Sequence, residues 1–157
     1  MRLSVAQIEK IRKRYKLTKR EADLVKLYFA GINDNLEISK ILNISFLTAK
    51  LHVTNIYRKL SVNHKLQVVI KIIDECKLLD FDIKGPPKGL ISDIQKKYNF
   101  TDREIDLIKL IFQGITANKE IDKIMNISIY TNKTYLSSIY KKIQANNKLA
   151  LIIKIID

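Results

Sequence analysis

The sequence states one fold twice. Thr18 is answered by Thr101, an offset of 83 residues, and this offset holds without a gap from Ile8/Ile91 to Asp74/Asp157. About half of the paired positions are identical, which makes the chain an ungapped tandem duplication. Its 157 residues must therefore supply two small cores rather than one larger one. Between the copies lies "DFDIKGPPKG". Gly-Pro-Pro cannot continue a helix, so residues 80–89 form the expected linker, with domains over 1–79 and 90–157. Ten extended residues reach at most ~35 Å.

Each copy predicts helices only, four or five short ones, and the fold class is all-α. Gly and Pro are few, and neither copy holds a defensible strand alternation. Ser4 with Gln7 reads as a capping box that opens a basic helix towards Tyr15. Thr18 with Glu21 and Thr101 with Glu104 repeat that signature ahead of apolar runs at helical spacing. These runs are Leu24, Val25, Leu27 and Tyr28 in one copy, and Leu107, Ile108, Leu110 and Ile111 in the other. Gly31 and Gly114 end those helices, since glycine tolerates a left-handed backbone. A short helix over 35–42 or 118–125 follows, stopped by Asn43 or Asn126. Ser45 or Ser128 then caps a longer helix. Short helix, tight turn and capped longer helix make a helix-turn-helix, and a last helix from Lys65 or Lys148 closes each unit.

The longer helix has two faces. Ala49, Val53, Ile56 and Leu60 share one stripe, as do Asn132, Leu136, Ile139 and Ile143, and these stripes are expected in the core. The opposite face carries Lys50, Leu51, Thr54 and Arg58 in copy one, and Lys133, Thr134, Ser137 and Lys141 in copy two. Such a face suits a DNA major groove. Lysine meets phosphates or guanine acceptors, hydroxyls meet either, and Leu51 can touch a thymine methyl. An ordinary amphipathic helix with a wet face has the same periodicity.

The residues also resemble a known family. Leu17-Thr18-x-Arg20-Glu21, Gly31, Glu37-Ile38, Ile44-Ser45-x-x-Thr48-x-Lys50-x-His52 and Ile56-x-x-Lys59-Leu60 are similar to the DNA-binding domain of LuxR/GerE-type bacterial transcription regulators. Copy two matches through Thr101-x-Arg103-Glu104, Gly114, Asn118-Lys119-Glu120-Ile121, Ile127-Ser128-x-x-Thr131-x-Lys133 and Ile139-x-x-Lys142. The resemblance implies two tandem four-helix domains, each with room for an extra N-terminal helix. Their third helix enters the major groove, and their last mediates dimers. It implies DNA contacts from Lys50, Leu51 and Thr54, with Thr48, Arg58 and Lys59 beside them. In copy two the positions are Lys133, Thr134 and Ser137, with Thr131 and Lys141. Family members usually carry a receiver or ligand-sensing domain ahead of this module, and no such domain is read here.

Copy two departs at one helix crossing. Where the family has two small apolar residues, and copy one has Ser39 and Ala49, copy two has Asp122 and Asn132. Two polar residues at one crossing are expected to hydrogen-bond each other, because a buried carboxylate without a partner costs several kcal/mol. Copy two also has Tyr135 in place of the family's histidine, and Thr134 in place of Leu51.

Charge points the same way. A formal net charge of +13 attracts polyanions, nucleic acid first and anionic membrane second. The closing helices "LQVVIKII" and "LALIIKII" are apolar nearly all round. Val68, Val69, Ile72, Leu151, Ile152 and Ile155 are therefore expected at a dimer or interdomain interface. Two arrangements follow: the copies pair within one chain as a pseudo-dimer, or each pairs with copies from other chains as a homodimer. Thorough packing inside the monomer, helped by Leu78, Leu79 or Phe81, is the plainer reading.

The expected partner is double-stranded DNA. The alternative is a protein-interaction module that pairs through its last helices with other regulators of this type, and an RNA polymerase contact is compatible with either. No catalytic constellation, metal set or cofactor motif is read: Cys76 stands alone, and His52 and His64 lack companion ligands. The single cysteine fits a reduced, cytoplasmic setting. The charged start excludes a signal peptide, and no apolar run approaches the ~20 residues that span a bilayer.

Overall fold

The structure, a computed structural model, describes residues 3–76 and 88–157, with Lys88 by its backbone alone. The chain divides into two compact units, Met1–Cys76 and Lys77–Asp157. Unit one holds α1 (Val5–Arg14), α2 (Lys19–Phe29), α3 (Asn35–Leu42), α4 (Phe46–Leu60) and α5 (Lys65–Glu75). Unit two holds α6 (Lys88–Tyr98), α7 (Asp102–Phe112), α8 (Asn118–Met125), α9 (Ile129–Ile143) and α10 (Lys148–Ile156). No strand occurs among the described residues. The extra N-terminal helix is present in both units.

Local chemistry sets the boundaries. Thr18 and Thr101 close full capping boxes with Glu21 and Glu104, which satisfies backbone N–H groups the helix leaves open. Gly31 and Gly114 both adopt φ +83° after α2 and α7. Asn43 and Asn126 end α3 and α8 in the left-handed region, at φ +50° and +52°. Ser45 and Ser128 accept from the N–H of Thr48 and Thr131 to open α4 and α9. The turn between the two helices is thus built from the same four decisions in each unit.

Most of the expected linker lies outside the described residues, as do Leu78, Leu79 and Phe81. Its end differs from expectation: α6 begins at Lys88, so Lys88 and Gly89 are helical. A glycine costs little in a first turn, where its N–H has no intrahelical acceptor to lose.

Packing follows the sequence stripes. In unit one α4 lies against α2, α3 and α5, and in unit two α9 lies against α7, α8 and α10. Leu24, Val25, Tyr28, Phe29, Ile38, Ala49, Ile56 and Leu60 are fully covered. Leu107, Ile108, Ile111, Ile121 and Ile139 are fully covered in the second unit. Each large aliphatic or aromatic side chain so buried contributes about 1.5–3 kcal/mol. Leu27 and Leu110 are only half-buried.

Three lysines in each unit work as internal fasteners. Lys59 donates to Glu21 Oε2 and the Lys16 carbonyl, and Lys142 to Glu104 Oε2 and the Asn99 carbonyl. Lys65 reaches the Asn33 carbonyl and Asn35 Oδ1, and Lys148 the Thr116 carbonyl and Asn118 Oδ1. Lys71 caps the Leu60 carbonyl, and Lys154 the Ile143 and Gln144 carbonyls. The last pair places a cation at the negative end of α4 and α9. Part of the basic excess is therefore structural.

Candidate nucleic-acid interface

The outward faces of α4 and of α9 are each continuous along their own helix. Phe46, Leu47, Lys50, Leu51, Thr54 and Arg58 are all exposed along α4. Their counterparts Ile129, Tyr130, Lys133, Thr134, Ser137 and Lys141 are all exposed along α9. Spacings of three and four put each set on one side, opposite the buried stripes Ala49, Val53, Ile56, Leu60 and Asn132, Leu136, Ile139, Ile143. Neither helix contains an Asp or Glu, although the chain has 16. Two acid-free helices presenting cations to solvent form a local field that favours an anion.

The individual groups differ in what they can still offer. Among the described residues, Lys50, Lys133 and Lys141 make no ion pair, and the Lys50 ammonium lies 5.7 Å from the centre of the Phe46 ring. Among the described residues, Arg58 makes a long side-chain contact, 3.4 Å, to Asn55 Oδ1. The Thr54 hydroxyl donates to the Lys50 carbonyl at 3.1 Å and that of Thr134 to the Tyr130 carbonyl at 3.0 Å. Each of these hydroxyls spends its proton inside the helix and faces solvent as an acceptor. Thr48 and Thr131 are half-buried and share their hydroxyls with Ser45 and Ser128 at 2.8 and 2.9 Å. Their first role is to build the turn.

Lys59 departs from expectation. It does not lie on the outward face: its ammonium sits 2.6 Å from Glu21 Oε2, a carboxylate that is almost fully buried. Burial alone would raise the Glu21 pKa. The Lys59 and Thr18 hydrogen bonds outweigh it and hold the carboxyl below its ordinary value. Glu104 is held down in the same way against its burial, by Lys142, by the Ser138 hydroxyl at 2.6 Å and by the Thr101 N–H.

The apolar residues expected at a pairing surface are covered. Val68, Val69 and Ile72, and Leu151, Ile152 and Ile155, are all buried within the chain. Helix α5 packs on both α2 and α4, and a short closing helix wedged on two neighbours has little apolar surface left over. None of the six side chains is open to a second molecule.

The crossing of α8 and α9 carries the polar pair. Asn132 is fully buried, and its Nδ2 donates to Asp122 Oδ1 at 2.5 Å and to the Asn118 carbonyl at 3.3 Å. Among the described residues its Oδ1 finds no donor. In unit one the same crossing holds Ala49 and Ser39, whose hydroxyl turns back to the Leu36 carbonyl at 2.7 Å.

Sequence reasoning missed the exposed apolar residues at the start of the helices. Leu47 is 75% exposed, Phe46 45%, Ile129 43% and Tyr130 77%. The signal was available: Phe46, Leu47, Ile129 and Tyr130 fall outside the core stripe, and so had to face water.

The family model of bacterial regulatory proteins, luxR family, matches the chain twice, over residues 15–72 and 98–155. Those spans take in α2 to α4 and most of α5, and α7 to α9 and most of α10. No curated protein and no solved structure matches the chain. Among the described residues no group of three or more His, Cys, Asp and Glu is placed to hold a metal ion, and no helix is long and apolar enough to cross a membrane.

Proposed function

Because the chain belongs to the luxR family of bacterial regulatory proteins, carrying its helix-turn-helix domain twice, we propose that it is a transcription regulator that binds double-stranded DNA through α4 and α9 together. The observation that carries this reading is the pair of acid-free outward faces, each with two cations about two turns apart that make no ion pair among the described residues. A helix of this kind placed in the major groove meets phosphates at its cationic end and base edges at its first turns.

Lys50, Lys133, Arg58 and Lys141 supply the phosphate and guanine contacts. Leu51, Thr54, Thr134 and Ser137 face the bases, and Thr48 and Thr131 hold the turns that aim the helices. Lys59 acts on the fold and not on DNA. The two modules act as an intrachain pseudo-dimer on an imperfectly symmetric site, since their outward faces differ at five of six matched positions. The α5 and α10 apolar residues are already buried, so their coverage does not discriminate between this arrangement and pairing with a second chain.

Duplex binding measured across a salt series tests the proposal. Affinity for DNA falls steeply as salt rises, the mark of counterion release. Absence of salt-sensitive binding to any duplex from a random pool overturns it in favour of a protein-interaction module. Sedimentation at micromolar concentration tests the arrangement: a pseudo-dimer sediments as one chain, and a homodimer as two.

A further inference from the structure

The first unit exposes large apolar side chains where a solvated helix has no use for them. Phe46, Leu47 and Leu51 stand 45%, 75% and 59% exposed on the first two turns of α4. Leu47 and Leu51 are four residues apart and so share a face, and Lys50 lies beside them with its ammonium over the Phe46 ring. An exposed apolar cluster at one spot marks an interaction surface. Which surface it fits follows from its surroundings. No carboxylate lies on α4, and Lys50 and Arg58 share the outward face with the apolar residues. A protein partner fitted to this cluster would need an acidic rim around an apolar site. Duplex DNA offers phosphates on both sides of a groove whose one apolar feature is the C5-methyl of thymine.

The second unit lacks this combination. At the positions of Leu47 and Leu51 it has Tyr130 and Thr134, and at that of Thr54 it has Ser137. Its outward face offers Ile129 at the first turn, a phenol, two hydroxyls and Lys133, so it is the more polar of the two and has no leucine pair at helical spacing. The contrast is chemical, because the cations and the core stripe are placed alike in both.

We infer that the two modules read different half-sites, and that α4 selects thymine through methyl contacts from Leu47 and Leu51. This rests on the DNA-binding reading above and adds which base the first module prefers, and by which group. Phe46 holds the Lys50 ammonium beside the apolar pair, so that phosphate attachment and methyl contact occur together. The half-site under α9 is read mainly through polar contacts and is less sensitive to methyl groups, since α9 has no counterpart of the leucine pair.

Replacing thymine with deoxyuridine removes the methyl and nothing else. The probe is a short duplex recovered from a random pool by the full chain, together with versions in which thymines of either half are replaced by deoxyuridine. Wild-type protein is expected to lose about fourfold in affinity for each contacted methyl removed in one half, and less for methyls removed in the other. Leu47→Ala and Leu51→Ala, at exposed positions that leave helicity intact, are each expected to lose part of the methyl sensitivity, and the double variant to bind the thymine and deoxyuridine duplexes equally. Tyr130→Ala keeps the wild-type ratio. Equal binding of both duplexes by wild-type protein overturns the inference, as does undiminished methyl sensitivity in the double leucine variant. In either case the DNA-binding reading stands, because duplex binding is still observed. If both leucine variants bind DNA as tightly as wild type, the cluster serves a protein partner and the inference fails. Loss of all salt-sensitive duplex binding by wild type overturns this inference and the proposed function together.

Discussion

The Lys59 ammonium lies 2.6 Å from Glu21 Oε2, across 38 residues of chain, and fastens the end of α4 to the start of α2. The second unit repeats the pair as Lys142 and Glu104 at 2.7 Å. Each glutamate also closes a capping box, so one carboxylate serves a helix start and an interhelix tie. Lys59→Met leaves a buried carboxylate without its cation. It is expected to lower stability in urea denaturation by about 3 kcal/mol, while leaving the salt dependence of DNA binding unchanged. Lys50→Met is expected to do the reverse. A Lys59 variant that folds as well as wild type and loses a phosphate contact contradicts the assignment.

The same pairs set the acid response. Both glutamates have folded pKa values below the ordinary 4.5. A carboxyl of depressed pKa contributes stability that is fully present above its unfolded value and is lost as pH falls through its folded one. Wild-type stability should therefore decline on going below about pH 4.5. Glu21→Gln or Glu104→Gln should be less stable at neutral pH and show a shallower decline in acid. Urea midpoints measured at pH steps from neutral to strongly acidic check this.

The Asp122–Asn132 pair gives a mutant cycle. Asp122→Ala leaves the fully buried Asn132 with one long hydrogen bond to Asn118, and should cost about 1–3 kcal/mol. Asn132→Val alone takes a hydrogen bond from the half-buried Asp122 and should destabilise, though less, since that carboxylate keeps contact with solvent. The double variant, Asp122→Ala with Asn132→Val, removes both polar groups and should recover most of the loss. Additive melting shifts across the cycle rule out coupling between the two.

Non-glycine, non-asparagine residues take left-handed backbone just past three helices, Lys16 after α1 at φ +50° being one of them. Ser61 and Gln144 follow α4 and α9 in the left-handed region, at φ +53° and +55°, and both are exposed. Ser61→Gly and Gln144→Gly relieve the side-chain clash and should each stabilise by about 0.5–1 kcal/mol in thermal melts, without altering DNA affinity. Asn43 and Asn126 occupy the same backbone region. Asparagine tolerates it better, so glycine there should gain less.

How much of this the sequence disclosed depends on the range of each interaction. Capping boxes, glycine and asparagine stops and the core stripe are written within a few neighbouring residues, and the structure places them as expected. The Asp122–Asn132 bond was readable because both residues change in one copy and the helices cross there. Lys59 was not readable as a fastener: its partner lies 38 residues away, and a lysine on a recognition helix looks locally like a phosphate ligand. The apolar closing helices suggested a surplus face, yet burial depends on how many neighbours a helix touches, which composition does not encode. The Phe46, Leu47 and Leu51 cluster became plain once exposure was known, since apolar side chains at helical spacing otherwise suggest a core.

The central claim is that both outward faces touch DNA, and one measurement tests it most directly. The salt dependence of duplex binding is compared for wild type, Lys50→Ala and Lys133→Ala. Each variant should lower the slope of log affinity against log salt by about one, with the full chain still folded. Slopes unchanged in both variants, or a wild-type chain whose binding ignores salt, contradict the account.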